Sequence, residues 1–264
     1  MIIDFHTHCF PDFLAPKALP PMAMRASIEA NTDGTFRGLT EKERLSGVDK
    51  FVIMHIATKE KSVRNTNDFA VSLQSENIYC YGTVFPDGES AMSELDYISE
   101  NMYGLKLHPD YQDFFCYEEK YFPIYEKCAR LKLPVLFHPG YDPVSPDVRH
   151  CPVSAIKTIA KEFPDLRIIA AHMGGMDRAS ETAEMLCGTE NVYLDTSMSP
   201  HYVPQELFEK LIHRHGADKI LFATDSPWST VEDEMRMLEK AHLSVEDMDM
   251  ILYKNAEYLL SREF

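Results

Sequence analysis

Eight short apolar runs, each followed by sequence of helical character, constrain this chain more than any other feature. They are Met1–Phe5, Lys50–Ile56, Ile78–Val84, Gly104–His108, Pro134–His138, Arg167–His172, Val192–Asp195 and Lys219–Ala223. Within them Ile, Val, Leu and Phe follow one another with little polar alternation. Strands of that kind are buried on both faces, as in a parallel sheet covered by helices. Helical stretches separate the later runs at Glu41–Ser46, Asn67–Gln74, Ser90–Glu100, Glu118–Leu131, Val153–Glu162, Arg178–Leu186 and Pro204–His213. Val231–Leu238 and Glu246–Lys254 follow the last run. Eight such units in 264 residues predict an α/β fold of the (β/α)8 TIM-type barrel class. A doubly wound open sheet is the alternative, weakened because no GxGxxG follows the first run. No linker, repeat or low-complexity tract interrupts the chain, so residues 1–264 read as one domain. Cys9 to Thr40 breaks the rhythm. Pro11, Pro16, Pro20, Pro21, Gly34 and Gly38 fall there without an apolar period, which predicts a long loop after strand one.

The polar residues stand at the strand ends. His6 and His8 end the first run, His55 the second, His108 the fourth, His138 the fifth and His172 the sixth. Asp195 ends the seventh, and Asp225 follows the eighth. In a barrel these ends meet at one mouth, the face where barrel enzymes act. Burying so many imidazoles and carboxylates is costly unless they are paired or ligated. His6 and His8 lie two apart on an extended chain, so both face the interior. One strand can thus give a metal two nitrogen ligands, and His138 and Asp225 can complete a set of four. Zinc takes three or four such ligands at about 2.0–2.2 Å. A single strand-end histidine is more often only hydrogen-bonded; the ordered series argues for ligation.

Charge narrows the partners. With 42 acidic and 26 basic residues the formal net charge is −16, which argues against nucleic acid and anionic membranes. A small-molecule substrate is the expectation. No stretch reaches 18 apolar residues, and the start lacks the basic and apolar regions of a signal peptide. The six cysteines form no CxxC pair, which suits a reduced cytoplasmic protein. A homodimer is the general expectation for soluble oligomers.

The opening MIIDFHTH resembles that of the amidohydrolase superfamily. GLKLHP (Gly104–Pro109), LFHPG (Leu136–Gly140), AHMGG (Ala171–Gly175) and FATDSPW (Phe222–Trp228) are similar to its later strand-end motifs. The set most resembles the branch with aminocarboxymuconate-semialdehyde decarboxylase and the resorcylate-type decarboxylases. The resemblance implies that His6, His8, His138 and Asp225 hold one divalent ion, zinc first and manganese as the alternative. It implies that His172 is an acid–base group acting on water or substrate, with Asp225 sharing proton transfer. Lys106 matches a position that is a carboxylated, metal-bridging lysine in two-metal members; a single ion with Lys106 as a substrate anchor is the preferred reading.

Further residues are expected at the pocket. Lys106 and His108 share a strand face. Cys9, Phe10, Phe13 and Leu14 follow the first ligands, with Cys9 a wall residue more than a nucleophile. Arg25 and Arg37 are candidates to meet an anion from the long loop. Tyr111 and Trp228 offer flat walls, and Arg149 and His150 stand past the Pro-rich turn after His138. His213, His215 and His242 read as surface residues. The first functional expectation is a metal-dependent hydrolase of a small amide, ester or lactone, because the chain is compact. A non-oxidative decarboxylase of a small aromatic or unsaturated acid is the alternative, and a non-catalytic metal-binding barrel the third reading.

Overall fold

The computed structural model describes residues 1–264. Eight parallel strands pair in chain order: β1 (Ile3–Thr7), β2 (Lys50–Met54), β3 (Ile78–Gly82), β4 (Gly104–Leu107), β5 (Val135–Phe137), β6 (Ile168–Ala170), β7 (Val192–Asp195) and β8 (Ile220–Leu221). Backbone bonds from Phe5 N to Phe222 O (2.9 Å), Asp225 N to His6 O (2.7 Å) and His8 N to Ser226 O (2.7 Å) join the last strand to the first. The predicted TIM-type barrel is therefore the observed fold.

Alternation along each strand decides what faces inward. Phe5, Met54, Tyr81, Leu136, Tyr193 and Leu221 fill the interior, while Phe51, Ile53, Cys80, Val135 and Leu194 pack outward against helices. Fully burying one such side chain contributes about 1.5–3 kcal/mol. At β4 the interior position is Gly104, because the Tyr81 ring lies 2.4 Å from where a Cβ would stand. Two residues further along each inward row come the polar groups: Lys106 after Gly104, His138 after Leu136, Asp195 after Tyr193. The C-terminal helix (Asn255–Ser261) covers the opposite end with Ala256, Leu259 and Leu260.

β1 departs from simple alternation. Ile3 and Phe5 belong to the interior cluster, yet His6 and His8 also point inside. The pairing with β2 shifts between Asp4 and Thr7, and this irregularity lets the strand change phase. Asp4 fixes the result. Its carboxylate accepts from His6 N (3.1 Å), Thr224 N (3.1 Å) and Thr224 Oγ1 (2.6 Å). One buried acid thus holds the ligand-bearing ends of β1 and β8 together.

The region after β1 differs from the expected long loop. A helix spans Ala15–Ala26 although Pro20 and Pro21 lie inside it, with Pro16 in its first turn. Those prolines remove backbone donors, but Ala15 and Leu19 are buried beneath the helix and anchor it. The next helix starts at Phe36, earlier than expected, because Thr35 caps it by accepting from Gly38 N at 3.0 Å. His215 also differs from expectation. It is buried, with Nε2 donating to Val192 O (3.0 Å) and Nδ1 accepting from Gly188 N (3.2 Å). Its place on the inner face of the helix Gln205–His215 explains the difference.

Candidate metal centre

A cavity of about 710 Å³ opens at the C-terminal ends of the strands. His6, His8, Cys9, Lys106, His108, Tyr111, His138, Asp225 and Trp228 all line it, as do Phe10, Phe13, Leu14 and Arg25. Its walls are largely apolar, with Met54, Phe69 and Met176 added to the aromatic residues.

Three donor atoms converge at its floor. His6 Nε2 lies 3.2 Å from His8 Nε2, and Asp225 Oδ1 lies 3.3 Å and 3.0 Å from them. The other ring nitrogens identify the tautomers. His8 Nδ1 stands 3.0 Å from Met54 O, and a carbonyl only accepts, so Nδ1 carries the proton. His6 Nδ1 stands 2.9 Å from Asp195 Oδ2 and donates to it. Both Nε2 atoms of the neutral rings are then bare lone pairs facing a carboxylate oxygen. Three acceptors in mutual contact with no proton between them fit a cation. For ligands at about 2.0–2.2 Å, donor separations of about 2.8–3.6 Å follow from octahedral or tetrahedral geometry. The observed distances fall in that range, so the donor set fits a divalent ion.

Burial is the largest influence on each ionisable group at the site. Burial, and after it Lys106, lowers His6 to about 4, keeping the ring neutral. Burial tends to raise Asp225, but His6 and His8 outweigh it and hold the carboxyl well below its usual range. Asp195 is likewise pushed up by burial yet brought down to about 2 by His6 and Ser197. Burial lowers Lys106 to about 8 against the pull of Asp225, and its Nζ reaches His6 Nε2 at 3.3 Å. Burial raises the Cys9 thiol to about 12, so it stays protonated in the cavity wall. His172 and Asp225 both adopt left-handed backbone, φ 59° and 63°, a strain that is commonest at functional sites.

Two expected members stand elsewhere. His138 does not join the three donors; its Nδ1 meets His172 Nε2 at 2.9 Å and its Nε2 meets Tyr141 O at 3.0 Å. His172 does not line the cavity. It sits behind His138, with Ser197 Oγ at 2.9 Å from Nδ1. Arg149 does not reach the cavity either, since Nη1 donates to Pro146 O (2.7 Å) and Val148 O (3.1 Å) and so closes its own loop. His150 is buried against Asp110 at 3.0 Å, and Arg37 is also away from the cavity. Sequence reasoning did not single out Asp142, which lines the cavity, or the role of Asp195. Asp195 stood in the strand-end series, and its spacing after Tyr193 was the available signal. Asp142 lies in a Pro-rich turn, where no periodicity reports direction.

Comparison with known proteins gives a family and agrees with the fold. The family model described as amidohydrolase matches residues 3–262. No curated protein matches the sequence. An uncharacterised TIM-barrel protein from Bordetella bronchiseptica superposes with a TM-score of 0.80 at 17% identity, covering 99% of this chain and 98% of that one. A 2,6-dihydroxybenzoate decarboxylase complexed with 2,6-dihydroxybenzoate gives 0.74 at 15% identity, covering 100% and 99%. A 5-carboxyvanillate decarboxylase from Novosphingobium aromaticivorans, complexed with manganese and 4-hydroxy-3-methoxy-5-nitrobenzoic acid, gives 0.72 at 14%, covering 99% and 96%. At these identities the likeness concerns the fold.

Proposed function

The chain belongs to the amidohydrolase family, and from that premise we propose that it is a metal-dependent enzyme that decarboxylates a small ring-bearing carboxylic acid without oxidation. The observation that carries the reading is the distribution of polarity in the cavity. Phe10, Phe69, Tyr111 and Trp228 supply flat apolar walls, while the three donors and the buried Lys106 ammonium gather together. Such a site accepts a flat molecule with its oxygens at one end. Compactness no longer favours hydrolysis, because the superposition spans 99% of the 2,6-dihydroxybenzoate decarboxylase chain.

His6, His8 and Asp225 would hold a divalent ion, and zinc and manganese both suit such N and O donors. When bound, that ion polarises substrate oxygens and lowers the pKa of water. Lys106 anchors the substrate carboxylate as a point charge. In the reaction the carboxylate leaves as CO₂, its bonding pair stays on the ring carbon, and a proton joins that carbon. Asp225 lines the cavity and is the group we assign to relay this proton, taking it from a substrate hydroxyl or water and passing it to the carbon. His172 positions His138 from behind instead of meeting substrate. Six unpaired cysteines support a reducing, cytoplasmic setting.

Hydrolysis of a ring lactone or amide is the second reading, favoured by Asp225 itself, a low-pKa carboxylate placed to take a proton from water. The test is turnover by protein loaded with zinc or with manganese. Hydroxybenzoates and related acids are assayed for CO₂ release, and lactones, esters and amides for ring opening or cleavage. CO₂ release that is lost in Asp225→Asn supports the proposal. Cleavage of the second panel with no CO₂ from the first overturns it in favour of hydrolysis.

A further inference from the structure

One buried histidine takes no part in the chemistry above. His55 follows β2, is 4% exposed and lines the cavity. Its Nε2 is sealed from water and meets no hydrogen-bonding partner. The other buried histidines, His6, His108, His138, His150, His172 and His215, each have a polar partner. Packing alone does not need the nitrogens of His55. Its ring meets Phe69 edge-on, centroids 5.8 Å apart at 90°, a contact that a phenyl ring would make as well. A polar atom buried without a partner is costly, and each such group in a folded chain calls for an explanation.

The proton has one favoured place. Burial, and after it His8, lowers the ring to about 3, so His55 is neutral and holds a single proton. A sealed N–H without an acceptor is rarer than a sealed lone pair without a donor, which puts the proton on Nδ1. Nδ1 is not sealed, and the open surface of the residue lies in the cavity. His55 thus offers the cavity one neutral N–H. The backbone holds it there, with His55 N donating to Tyr81 O at 3.3 Å.

The wall around His55 is polar and uncharged. Thr58, Ser62, Asn65 and Thr66 line the cavity from the same stretch of chain. The charged residues interleaved with them, Lys59, Glu60, Lys61 and Arg64, do not. Asn65 and Phe69 stand four apart on the helix Val63–Leu73, so one face of that helix turns to the cavity. This part of the wall differs from the metal end, where Lys106, Asp142 and Asp225 carry charge. β3 lies between β2 and β4, which separates His55 from Lys106. A neutral donor among hydroxyls and an amide suits a hydroxyl or carbonyl oxygen and gives a carboxylate no charge to meet.

We propose that His55 determines substrate specificity, donating from Nδ1 to an uncharged oxygen on a ring substituent other than the carboxylate. The substrate class becomes ring acids that bear a hydroxyl or carbonyl group toward β2, in addition to the oxygens at the metal end. Placement of the carboxylate at Lys106 is taken from the reading above, on which this assignment rests.

The test is calorimetric titration of Zn²⁺-saturated protein with benzoate and with ortho-, meta- and para-hydroxybenzoate, and in parallel with the corresponding benzamides. Wild type is compared with His55→Phe, His55→Asn and His55→Leu; circular dichroism and thermal unfolding check each fold. In wild type the meta or para acid should bind about 3–10-fold more tightly than benzoate, the scale of one neutral hydrogen bond. His55→Phe keeps a ring against Phe69 and should lose that advantage. His55→Asn carries an NH₂ near the Nδ1 position and should keep it, whereas His55→Leu, of similar shape, should not. That pair decides the matter even where His55→Phe folds poorly. The ortho hydroxyl lies beside the carboxylate at the metal end, so its effect should be the same in every variant. No meta or para advantage in either panel of wild type overturns the assignment, as does an advantage equal in His55→Asn and His55→Leu. A loss that extends to the ortho isomer marks general damage to the cavity and overturns it too. A hydroxyl preference confined to the amides and lost in His55→Leu supports the role of His55 and overturns the acid reading.

Discussion

Asp195→Asn isolates the part of the metal centre that lies outside the ligands. Asp195 Oδ1 accepts from His172 N (2.8 Å), Ser197 N (3.2 Å) and Ser197 Oγ (2.5 Å), whereas Oδ2 accepts only from His6 Nδ1 (2.9 Å). An asparagine will place its oxygen where three donors converge and its NH₂ toward His6. The reverse orientation would set an NH₂ against three donors in a buried site, at about 1–3 kcal/mol for each group left unsatisfied. His6 Nδ1 must then accept, so the proton moves to Nε2, inside the centre. That N–H lies 3.3 Å from Asp225 Oδ1 and donates to it, removing a nitrogen ligand and occupying the carboxylate.

Loss of a supporting partner of this kind typically lowers metal affinity about 10–100-fold, or about 1.4–2.7 kcal/mol. Because the tautomer itself changes, we expect the upper end. Zn²⁺ affinity is measured by competition with a chelating indicator, with thermal unfolding of the metal-free protein as control. The metal-free variant should unfold within a few degrees of wild type, since the new His6–Asp225 bond offsets the lost charged one. Affinity within threefold of wild type would show that Asp195 does not set the His6 tautomer.

Lys106→Met should act with the opposite sign on metal. It removes an ammonium 3.3 Å from His6 Nε2, so Zn²⁺ affinity should rise, while KM for an acid substrate should increase about 10–100-fold, the scale of one charged hydrogen bond; dialysis and steady-state kinetics read the two effects separately. Glu43→Gln tests a buried acid away from the ligands. Burial, then Asp4, raises the Glu43 carboxyl above its usual 4.5. The folded chain therefore keeps a proton that the unfolded chain releases as pH rises past that value, and stability falls with rising pH. Glu43→Gln should raise Tm relative to wild type more at pH 8 than at pH 5, and equal gains at both would refute the assignment. Gly140→Ala should destabilise by about 2 kcal/mol or more, read by denaturant unfolding: Gly140 has φ +95°, and a Cβ there would stand 2.4 Å from Met176 O.

Much of the barrel was legible because inward positions recur every second residue. Leu136 and His138, Tyr193 and Asp195, Ala223 and Asp225 each show an apolar residue followed two places later by a polar one at the mouth. The pairing of His6 with His8 survived for the same reason. Their joint placement with Phe5 inside the barrel was not legible, because the irregularity in β1 has no signature in composition. Prolines misled at Ala15–Ala26, where Pro20 and Pro21 outweighed the burial of Leu19, a fact visible only in three dimensions. For His138 and His172 the strand position was legible and the side-chain direction was not. Side-chain direction past a strand end depends on what the neighbouring strands present, and here His172 and the Tyr141 carbonyl claim both His138 nitrogens.

Charge at the mouth explains why cations and an anionic substrate belong together. Asp142, Asp195 and Asp225 are buried there, and Lys106 is the one buried ammonium. With all four ionised, three negative charges against one positive leave two negative charges beside an apolar cavity. A carboxylate substrate would be repelled from such a site, since unit charges in a poorly polarisable interior interact by several kcal/mol at a few ångströms. One divalent ion brings the mouth to neutrality and lets Lys106 act as an anchor. Arg25 on the overlying helix adds a positive charge at the same cavity, so the loaded mouth has one charge in excess to meet the carboxylate of an acid. Removal of the ion should therefore weaken binding of an acid more than binding of its neutral amide, an effect that geometry of the walls alone would not produce.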